Sequence, residues 1–403
     1  MIVLSHPTGN PPVRNALQAL FDAEMLSCFC TSFALSQESR LLDFPIPLSI
    51  KKELLRRTYD LPSSFMRRRS TLELIRLIGQ RIPGSQFSSG PIDKVYQSID
   101  RLTAKILKKR HPEGVYAYED GALNSFLHAQ NLGIHKFYEL PIVYWKTLHQ
   151  ALKEQIELYP EWEQTMEFSH DSAKKCSRKD KELELADDII CPSDFVLNSI
   201  PEKFRSKCSL LPYGALPPSR NNEPHKENRP LRILFAGSMT QRKGLADLFS
   251  AVKQLNTKHI ELIVMGKLKA PIEFYKKQFP HFTYAPPRSH TRVLKLMRSC
   301  DLFCLPSIIE GRALVQLEAL SSGLPLIITP NTGGSDLIDE GQTGHLVPPN
   351  MPSAIADKID WLLSHRSSIQ SMKEAAWNKA EATSWTRYRA LFVQLIRERL
   401  KIT

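Results

Sequence analysis

The sequence predicts an α/β protein in which two Rossmann-like domains face each other across a cleft. Short apolar runs rich in β-branched residues recur along the chain, and patterns with helical periodicity lie between them. Such alternation predicts parallel sheets covered by helices on both faces. Because 403 residues are too many for one ordinary hydrophobic core, we expect two domains of this kind.

The predicted elements divide into two halves of similar size. The polar, proline-rich stretch 216–230 has no periodicity and is interpreted as a linker between an N-terminal domain, 1–215, and a C-terminal domain, 231–383. The amphipathic pattern at 384–403 predicts a final helix that either closes the second domain or crosses back to the first. The predicted strands are 2–5, 115–118, 136–140, 188–193 and 208–214 in the first half, and 231–237, 260–266, 281–285, 301–307 and 325–330 in the second.

The composition is that of an ordinary folded protein and argues against global disorder. Hydrophobic residues make up 42% of the chain and charged residues 24%. Seven scattered cysteines without a C-x-x-C pair predict free thiols in a reducing cytosol. The opening MIVLSHPTG is interpreted as a first strand rather than a signal peptide. No window reaches the ~18 apolar residues of a membrane span. We therefore expect a cytoplasmic protein, either soluble or peripheral on the inner face of a membrane.

The net charge of +12 is concentrated in one region. Residues 51–110 contain fifteen Lys and Arg against five Asp and Glu, within a segment at about 40–110 interpreted as a basic helical insertion. Such a region attracts lipid headgroups, acidic glycans or nucleic acid, unless it is simply a solvated basic face. Aromatic residues that could stack on bases are sparse there, so an anionic membrane surface is favoured over nucleic acid.

Two glutamates eight residues apart, Glu310 and Glu318, lie in the stretch PSIIEGRALVQLEALSSGLPLII. A helix is predicted to begin near Gly311, where unpaired backbone N–H groups would form a site for an anion or a hydroxyl. Glu318 lies on an otherwise apolar helix, where a carboxylate is costly unless it accepts hydrogen bonds. Ribose hydroxyls would supply two such bonds. Alternatively, Glu310 caps the helix and Glu318 pairs with a nearby cation.

Three further loops follow predicted strands and should face the cleft between the two domains. In the first, the strand that ends at Gly237 leads into a loop with Arg242 and Lys243, two cations that suit a diphosphate unless they are merely exposed. The second carries Gly333 and Gly334, and the third carries Gly9 and Asn10; a plain tight turn is the alternative for the glycine pair. Ligands in open parallel sheets bind beyond the carboxyl ends of the strands. These loops are therefore the candidate site.

Taken in order, these segments resemble the retaining nucleotide-sugar glycosyltransferases of the GT-B fold, in family 4 (glycosyl transferases group 1). The resemblance covers about residues 210–365. The pattern around Glu310 and Glu318, PS-x-x-EG followed by LEA-x-x-x-G-x-P-x-I, is its most specific part. The remaining segments are FAGSMTQRKGLADL, VMG, SHTRVLKLMRSCDLFCLPS, NTGGSDLI and GQTGHLVPP.

The resemblance implies that the C-terminal domain holds the sugar donor. Glu318 would bind the donor ribose, and Lys243, assisted by Arg242, would bind the diphosphate. Glu310 would meet the transferred sugar and the diphosphate together with the amides of Gly311, Arg312, Ala313 and Leu314. Gly237, Ser238, Gly333 and Gly334 would complete the donor site.

Departures from the family pattern weaken parts of this assignment. Ser238 stands where arginine is common, and Arg242 is the candidate replacement. Arg312 stands where an aromatic residue is common, and would either read an anionic sugar or face solvent.

The N-terminal half of the site is less well defined by the resemblance. The family's first-domain histidine follows a strand, and the corresponding stretches here offer Glu119, Asp120 and Glu139 instead. With Gly9 and Asn10 these are the acceptor-side candidates. Four histidines are substitutes that the family pattern leaves open, with a structural role as the favoured alternative for each: His6, His111, His128 and His135.

The implied reaction is transfer of a hexose, with retention, from a nucleoside diphosphate sugar to a hydroxyl of a glycan or lipid-linked acceptor. Polysaccharide, glycolipid or other glycoconjugate synthesis would be its setting. The resemblance implies no cofactor beyond the co-substrate and no essential metal. The alternatives are another GT-B activity, such as sugar-nucleotide epimerisation or phosphorolysis, and a non-catalytic protein that binds anions or nucleic acid.

Overall fold

A computed structural model describes residues 1–39, 51, 54–79, 90–166, 171–220 and 229–402. Most of the predicted linker and parts of the basic region lie outside the described residues. All seven cysteines are described, and all are free thiols. Within the described ranges, no helix is both long and apolar enough to cross a membrane.

The N-terminal half forms a seven-stranded sheet in the order β5-β2-β1-β6-β7-β8-β9. Every pairing in this sheet is parallel. The central strands are buried along their whole length because helices cover both faces. The strands are β1 Ile2–Ser5, β2 Leu26–Thr31, β5 Met66–Arg68, β6 Gly114–Tyr118, β7 His135–Glu139, β8 Asp188–Cys191 and β9 Cys208–Leu210, with a separate parallel pair, β3 Leu35–Ser36 and β4 Thr58–Tyr59.

Helix boundaries in this half follow local capping chemistry. The first helix begins at two prolines, whose missing N–H groups are not needed in a first turn, and the Asn10 side chain accepts the Val13 N–H at 3.0 Å. The helices are α1 Pro11–Asp22, α2 Thr71–Gly79, α3 Gly90–Arg110, α4 Leu123–Leu132, α5 Trp145–Leu158, α6 Ala173–Leu185 and α7 Asp194–Ser199.

The C-terminal half repeats this architecture with a six-stranded parallel sheet in the order β12-β11-β10-β13-β14-β15. Its strands are β10 Leu231–Ala236, β11 Ile260–Met265, β12 Phe282–Ala285, β13 Leu302–Leu305, β14 Leu326–Ile328 and β15 Gly344–Leu346. Its helices are α8 Leu245–Leu255, α9 Ile272–Gln278, α10 His290–Arg298, α11 Leu314–Ser321, α12 Pro352–Ser364 and α13 Ser368–Ala382, and α14 Trp385–Leu400 ends the chain.

The predicted fold class, two parallel Rossmann-like sheets, is confirmed, but some strands were missed. β2 was hidden because its LSCFCT sequence directly follows the apolar pattern of α1. The basic region, predicted to be a helical insertion, also contains β4 and β5, and β5 extends the main sheet by pairing Met66 with Phe29. Part of this region is therefore an edge of the N-terminal sheet.

The final helix crosses back to the N-terminal domain. Phe392 packs edge-on against Tyr116 with ring centroids 5.1 Å apart. Arg399 Nε lies 2.8 Å from an Asp188 carboxylate oxygen, and Arg389 donates to Asn15 at 3.1 Å. Of the two positions that the sequence left open for this helix, the structure therefore has the crossing one.

The carboxyl edges of the two sheets face each other. The loop after β7 reaches the loop after β13, where a Cβ added to Gly311 would overlap the Pro141 carbonyl. Ser193, after β8, donates its hydroxyl to the Gly311 carbonyl at 2.7 Å. The glycine at 311 is thus required by the approach of the other domain. Of the loops singled out from sequence, those that carry Glu310 and Gly333 contact the N-terminal domain here.

One segment of the N-terminal half packs on the other domain. Helix α5 and the 3₁₀ turn Pro160–Thr165 bring Trp162 against Phe249, Phe274 and Tyr275, with centroid distances of 5.1–6.0 Å. Trp162 is almost completely buried there. We call residues 145–166 the strap.

Candidate active site

The centre of the site is an ion cluster between two loops of the C-terminal domain. Glu310 Oε1 lies 2.8 Å from Arg242 Nη1 and 2.5 Å from Lys243 Nζ. Burial lowers the pKa of Lys243, and the Glu310 carboxylate opposes that shift. Two cations and one carboxylate leave this corner with a net positive charge that an anionic group could neutralise.

Backbone hydrogen bonds fix these two loops against each other. The Ile308 N–H donates to the Arg242 carbonyl at 2.9 Å, and the Arg242 guanidinium donates to the Ile309 carbonyl at 3.3 Å. Asn331, from the loop after β14, accepts the Glu310 N–H at 3.0 Å and donates its side-chain amide to the Ile308 carbonyl at 2.8 Å. Three strand ends are therefore locked into one surface.

Helix α11 points its N-terminus at this cluster. The sequence predicted a row of four available amides from Gly311 to Leu314. The structure corrects this, because the Ala313 N–H donates to the Thr332 carbonyl at 3.1 Å. Among the described residues, the backbone N–H groups of Gly311, Arg312 and Leu314 have no backbone acceptor. These three amides are the ones that a phosphate could use.

Glu318, one turn into α11, is half-buried rather than enclosed. Its Oε1 lies 3.0 Å from Nε2 of His290, which begins α10. Burial raises the pKa of Glu318, and His290 opposes this shift. Of the alternatives left open by the sequence, Glu318 thus has a neighbouring side-chain partner, the imidazole of His290. Because His290 is largely exposed, a ligand could displace it.

Arg312 is neither solvent-facing nor free to read a sugar, contrary to both expectations. Its buried guanidinium donates to the two carboxylate oxygens of Asp336 at 2.7 and 2.9 Å and to the Gly333 carbonyl at 3.0 Å. Gly333 has a positive φ of 68°, and a Cβ there would overlap the Gly311 carbonyl. A Cβ on Gly334 would overlap the Gln316 side chain. Arg312 and the glycine pair therefore pack the loop after β14 against the start of α11.

Gly237 and Ser238, after β10, are half-buried next to the ion cluster. A Cβ on Gly237 would only reach ordinary contact with Lys243 Cδ, at 3.8 Å. This side of the cluster is therefore less crowded than Gly311 or Gly333.

The strap reaches the loop that carries the two cations. Gln241, the residue before Arg242, donates its side-chain amide to Gln155 at 3.0 Å and to Asp247 at 3.3 Å. The Thr165 hydroxyl accepts the Gln241 N–H at 3.4 Å, and Tyr159 donates to Asp247. Gln155, Thr165, Gln241 and Asp247 are all buried. No pattern in the sequence indicated this network.

The acceptor-side carboxylates already have partners within the N-terminal domain. Glu119 is buried 3.3 Å from Lys179, and burial raises the pKa of Glu119 to about 7. Asp120 lies 3.0 Å from Arg178 and 3.3 Å from Lys175. All three cations come from α6.

Glu139 is the most enclosed of the predicted acceptor-side residues. It accepts hydroxyl hydrogen bonds from Tyr116 at 2.6 Å and Tyr213 at 2.7 Å, and burial raises its pKa. Because its side chain is 1% exposed, it cannot meet an acceptor. Glu139 instead joins β6 to the chain that leads into the linker.

Among the four histidine candidates, only His6 follows the carboxyl end of a strand. It is buried edge-on against Tyr118, 4.7 Å between centroids, and burial lowers its pKa to about 3. His135 begins β7, at the opposite edge, and pairs with Asp188 at 2.6 Å. His128 lies within α4, and His111 follows the end of α3. None of these last three directly follows the carboxyl end of a strand.

Comparison with known proteins finds a family similarity in the C-terminal half. Residues 218–379 match the family model of glycosyl transferases group 1. A glycosyltransferase of Methanocaldococcus jannaschii is 26% identical over 202 residues, 50% of this chain and 56% of that protein. The D-inositol 3-phosphate glycosyltransferase of Paenarthrobacter aurescens is 30% identical over 177 residues, 41% and 43% respectively. The chain thus spans about half the length of these curated relatives.

Solved structures match over the whole chain. Sucrose-phosphate synthase from Thermosynechococcus elongatus aligns with a TM-score of 0.67 at 17% identity, covering 100% of this chain and 99% of that one. The Anabaena protein HepE in complex with UDP aligns with a TM-score of 0.63 at 13% identity, covering 98% and 99%. At these identities the likeness establishes the fold, which is GT-B.

Proposed function

We propose, from the GT-B fold and the family match of residues 218–379, that this chain transfers a hexose from a nucleoside diphosphate sugar to an acceptor hydroxyl, with retention. The observation that carries the proposal is the ion cluster of Glu310, Lys243 and Arg242 beside the open amides of α11. A sugar diphosphate needs cations and N–H donors at one place, and this corner supplies both.

Lys243 and Arg242 act on the leaving group. As the bond between the anomeric carbon and the diphosphate oxygen breaks, negative charge grows on the diphosphate. Glu310 already holds the two cations, and the amides of Gly311, Arg312 and Leu314 have no backbone acceptor among the described residues, so a small reorganisation cost during the reaction is part of this proposal. Glu310 holds both cations in place. In this proposal its carboxylate also contacts the transferred sugar.

Glu318 takes the ribose of the donor in this proposal. Its half-buried carboxylate accepts two hydroxyl hydrogen bonds, and the exposed imidazole of His290 moves aside or stays as a third partner. HepE, whose solved complexes contain UDP and UDP-glucose, provides the analogy for a uridine nucleotide. The proposed donor is therefore a uridine diphosphate sugar.

Retention requires that the acceptor oxygen attack the face of the sugar that the leaving group departs from. The oxygen of the leaving phosphate is then the nearest base for the acceptor proton. No carboxylate of the N-terminal half is needed for this step, which suits the internal pairing of Glu119, Asp120 and Glu139. The expectation that no metal is essential stays a prediction.

An anionic membrane surface is the proposed partner of the basic region, and a lipid-linked glycan the proposed acceptor. Leu74 and Ile75 on α2 and Ile92 on α3 are 43–49% exposed. They lie among the arginines and lysines of residues 51–110. Exposed apolar side chains beside basic ones are typical of surfaces that insert between anionic headgroups.

The transferase proposal is tested with labelled donors. We expect thermal stabilisation by one of UDP-, GDP-, ADP- and dTDP-sugars, and label transfer from that donor to an added glycan or lipid acceptor. Loss of label only to water, or an isomerised donor without acceptor, would identify a different GT-B reaction. Absence of binding by every nucleotide would refute the proposal.

The membrane proposal is tested by flotation with vesicles of phosphatidylglycerol and phosphatidylcholine. Leu74→Glu should reduce flotation, whereas the matched change Leu127→Glu, at an equally exposed leucine on α4, should not. Equal flotation on pure phosphatidylcholine would remove the electrostatic part of the proposal.

A further inference from the structure

A polar cavity lies in the N-terminal domain, between the loop after β1 and the basic region. It has a volume of about 710 Å³, which is within the usual size of small-molecule sites. Thr8, Gly9 and Asn10 form one wall, and the opposite wall comes from residues 55–57 and from Arg76 and Leu77. None of the contacts assigned above to the sugar donor involves these residues.

Four arginines converge on this cavity. Arg14 joins the two walls of the cavity, because its guanidinium donates to the backbone carbonyls of Gly9, Arg56 and Thr58. The same guanidinium lies 4.2 Å above the centre of the Tyr59 ring. Arg57 and Arg76 both pair with the buried carboxylate of Glu73. Arg56 is exposed at the rim.

The charge of the lining selects the ligand. The cavity gathers four guanidinium groups, with Glu73 as the carboxylate between two of them. Guanidinium groups prefer planar, multidentate oxyanions, above all phosphate. Thr8, exposed at the rim, adds a hydroxyl donor. A neutral glycan would form few favourable interactions with this positively charged lining, whereas a phosphorylated glycan would form several charge-assisted hydrogen bonds.

The position of the cavity relates it to the reaction. Thr8 to Asn10 follow the carboxyl end of β1, the same sheet edge from which Pro141 and Ser193 reach Gly311. This edge faces the donor-binding domain. We infer that the cavity is an acceptor subsite for a phosphate group, so that the acceptor is a phosphorylated sugar or a glycan carried on a lipid phosphate. This inference rests on the proposed transferase function.

Binding measurements distinguish the two sources of phosphate. In the first arm, a hexose 6-phosphate is compared with the free hexose by calorimetry. In the second, vesicles containing phosphatidic acid are compared with vesicles of phosphatidylcholine. Each arm uses the wild type, Arg56→Gln, and Arg397→Gln as a control that removes the same charge from an exposed position of α14, outside the basic region.

We expect one phosphate ligand to bind, and Arg56→Gln to weaken it about tenfold, the scale of one charge-assisted hydrogen bond. Arg397→Gln should bind as the wild type does. Equal affinities for phosphorylated and unphosphorylated ligands in both arms, or equal losses in the two variants, would overturn the inference. If the phosphate binds as expected but no nucleotide sugar does, the cavity stands and the transferase proposal fails.

Discussion

The side chain of Gln155, in the N-terminal half, accepts a hydrogen bond from Gln241, which directly precedes Arg242 in the other domain. The bond is 3.0 Å long, and both side chains are buried. The loop that carries the two cations is therefore supported from outside its own domain. Any movement that separates the strap from the C-terminal domain must break this bond.

Replacing Gln155 with leucine should therefore affect both stability and donor binding. The change removes the acceptor of one N–H of the buried Gln241 side-chain amide, and an unpaired buried donor typically lowers the free energy of unfolding by about 1–3 kcal/mol. We also expect a higher KM for the donor, because the loop of Arg242 and Lys243 loses a support. Urea unfolding and donor kinetics measure the two effects. Gln150→Leu, at an exposed position of the same helix, is the control and should change neither.

Glu318→Ala should raise the donor KM while kcat changes less. Two hydrogen bonds from ribose hydroxyls to a carboxylate, at about 1.5–3 kcal/mol for a bond to a charged group, correspond to at least a ~10-fold effect. Steady-state kinetics with varied donor provide the measurement. Glu273→Ala, on the exposed side of α9, should leave KM unchanged. A KM close to the wild-type value in Glu318→Ala would remove the ribose role.

Lys243→Ala should lower kcat/KM by about 10²-fold or more, the scale of one lost transition-state donor. The remaining cation, Arg242, still faces Glu310, so the fold of the loop should survive. Single-turnover rates at saturating donor isolate the chemical step from binding. Lys253→Ala, an exposed lysine on α8, provides the control. An unaltered chemical rate would place Lys243 outside the reaction.

His6 predicts a specific loss of stability in acid. Burial lowers its folded-state pKa to about 3, against an ordinary value of 6.5. Its Nδ1 contacts both the backbone N–H of Thr8, at 3.0 Å, and the Thr8 carbonyl oxygen. A lowered pKa means that the unfolded chain binds the proton first. The stabilisation is complete above pH 6.5 and decreases as the pH falls towards 3.

Between pH 7 and pH 5, protonation of His6 in the unfolded chain should lower the free energy of unfolding by about 2 kcal/mol. Chemical denaturation at the two pH values measures it. In His6→Gln the difference between the two pH values should shrink by that amount, whatever the variant's absolute stability. The same substitution at the exposed His259 should leave the difference as in the wild type. An unchanged pH dependence in His6→Gln would contradict the assignment.

Much of the donor side of the site could be predicted, because each of its loops directly follows a strand that the sequence pattern indicates. A parallel strand brings the residues after it to the carboxyl edge, so loops at 237–243, 310–314 and 331–334 had to meet at one edge once the strands were recognised. Even the partners missed there, Asn331 and His290, lie in the quoted segments NTGGSDLI and SHTRVLKLMRSC. Their roles became visible only with the loops assembled.

Periodicity and loop position in the sequence determined the two parallel sheets and the edge at which Glu310, Lys243 and Arg242 gather. Tertiary structure alone decided that Arg312 is buried on Asp336, that Glu139 is enclosed by two tyrosines, and that Gln155 reaches Gln241. The physical reason is the separation along the chain over which each interaction acts. Backbone hydrogen bonding and the alternation of apolar residues act between near neighbours in the chain. A side-chain pair separated by 86 residues forms only where the packing of whole helices brings it together, and no local pattern encodes that distance.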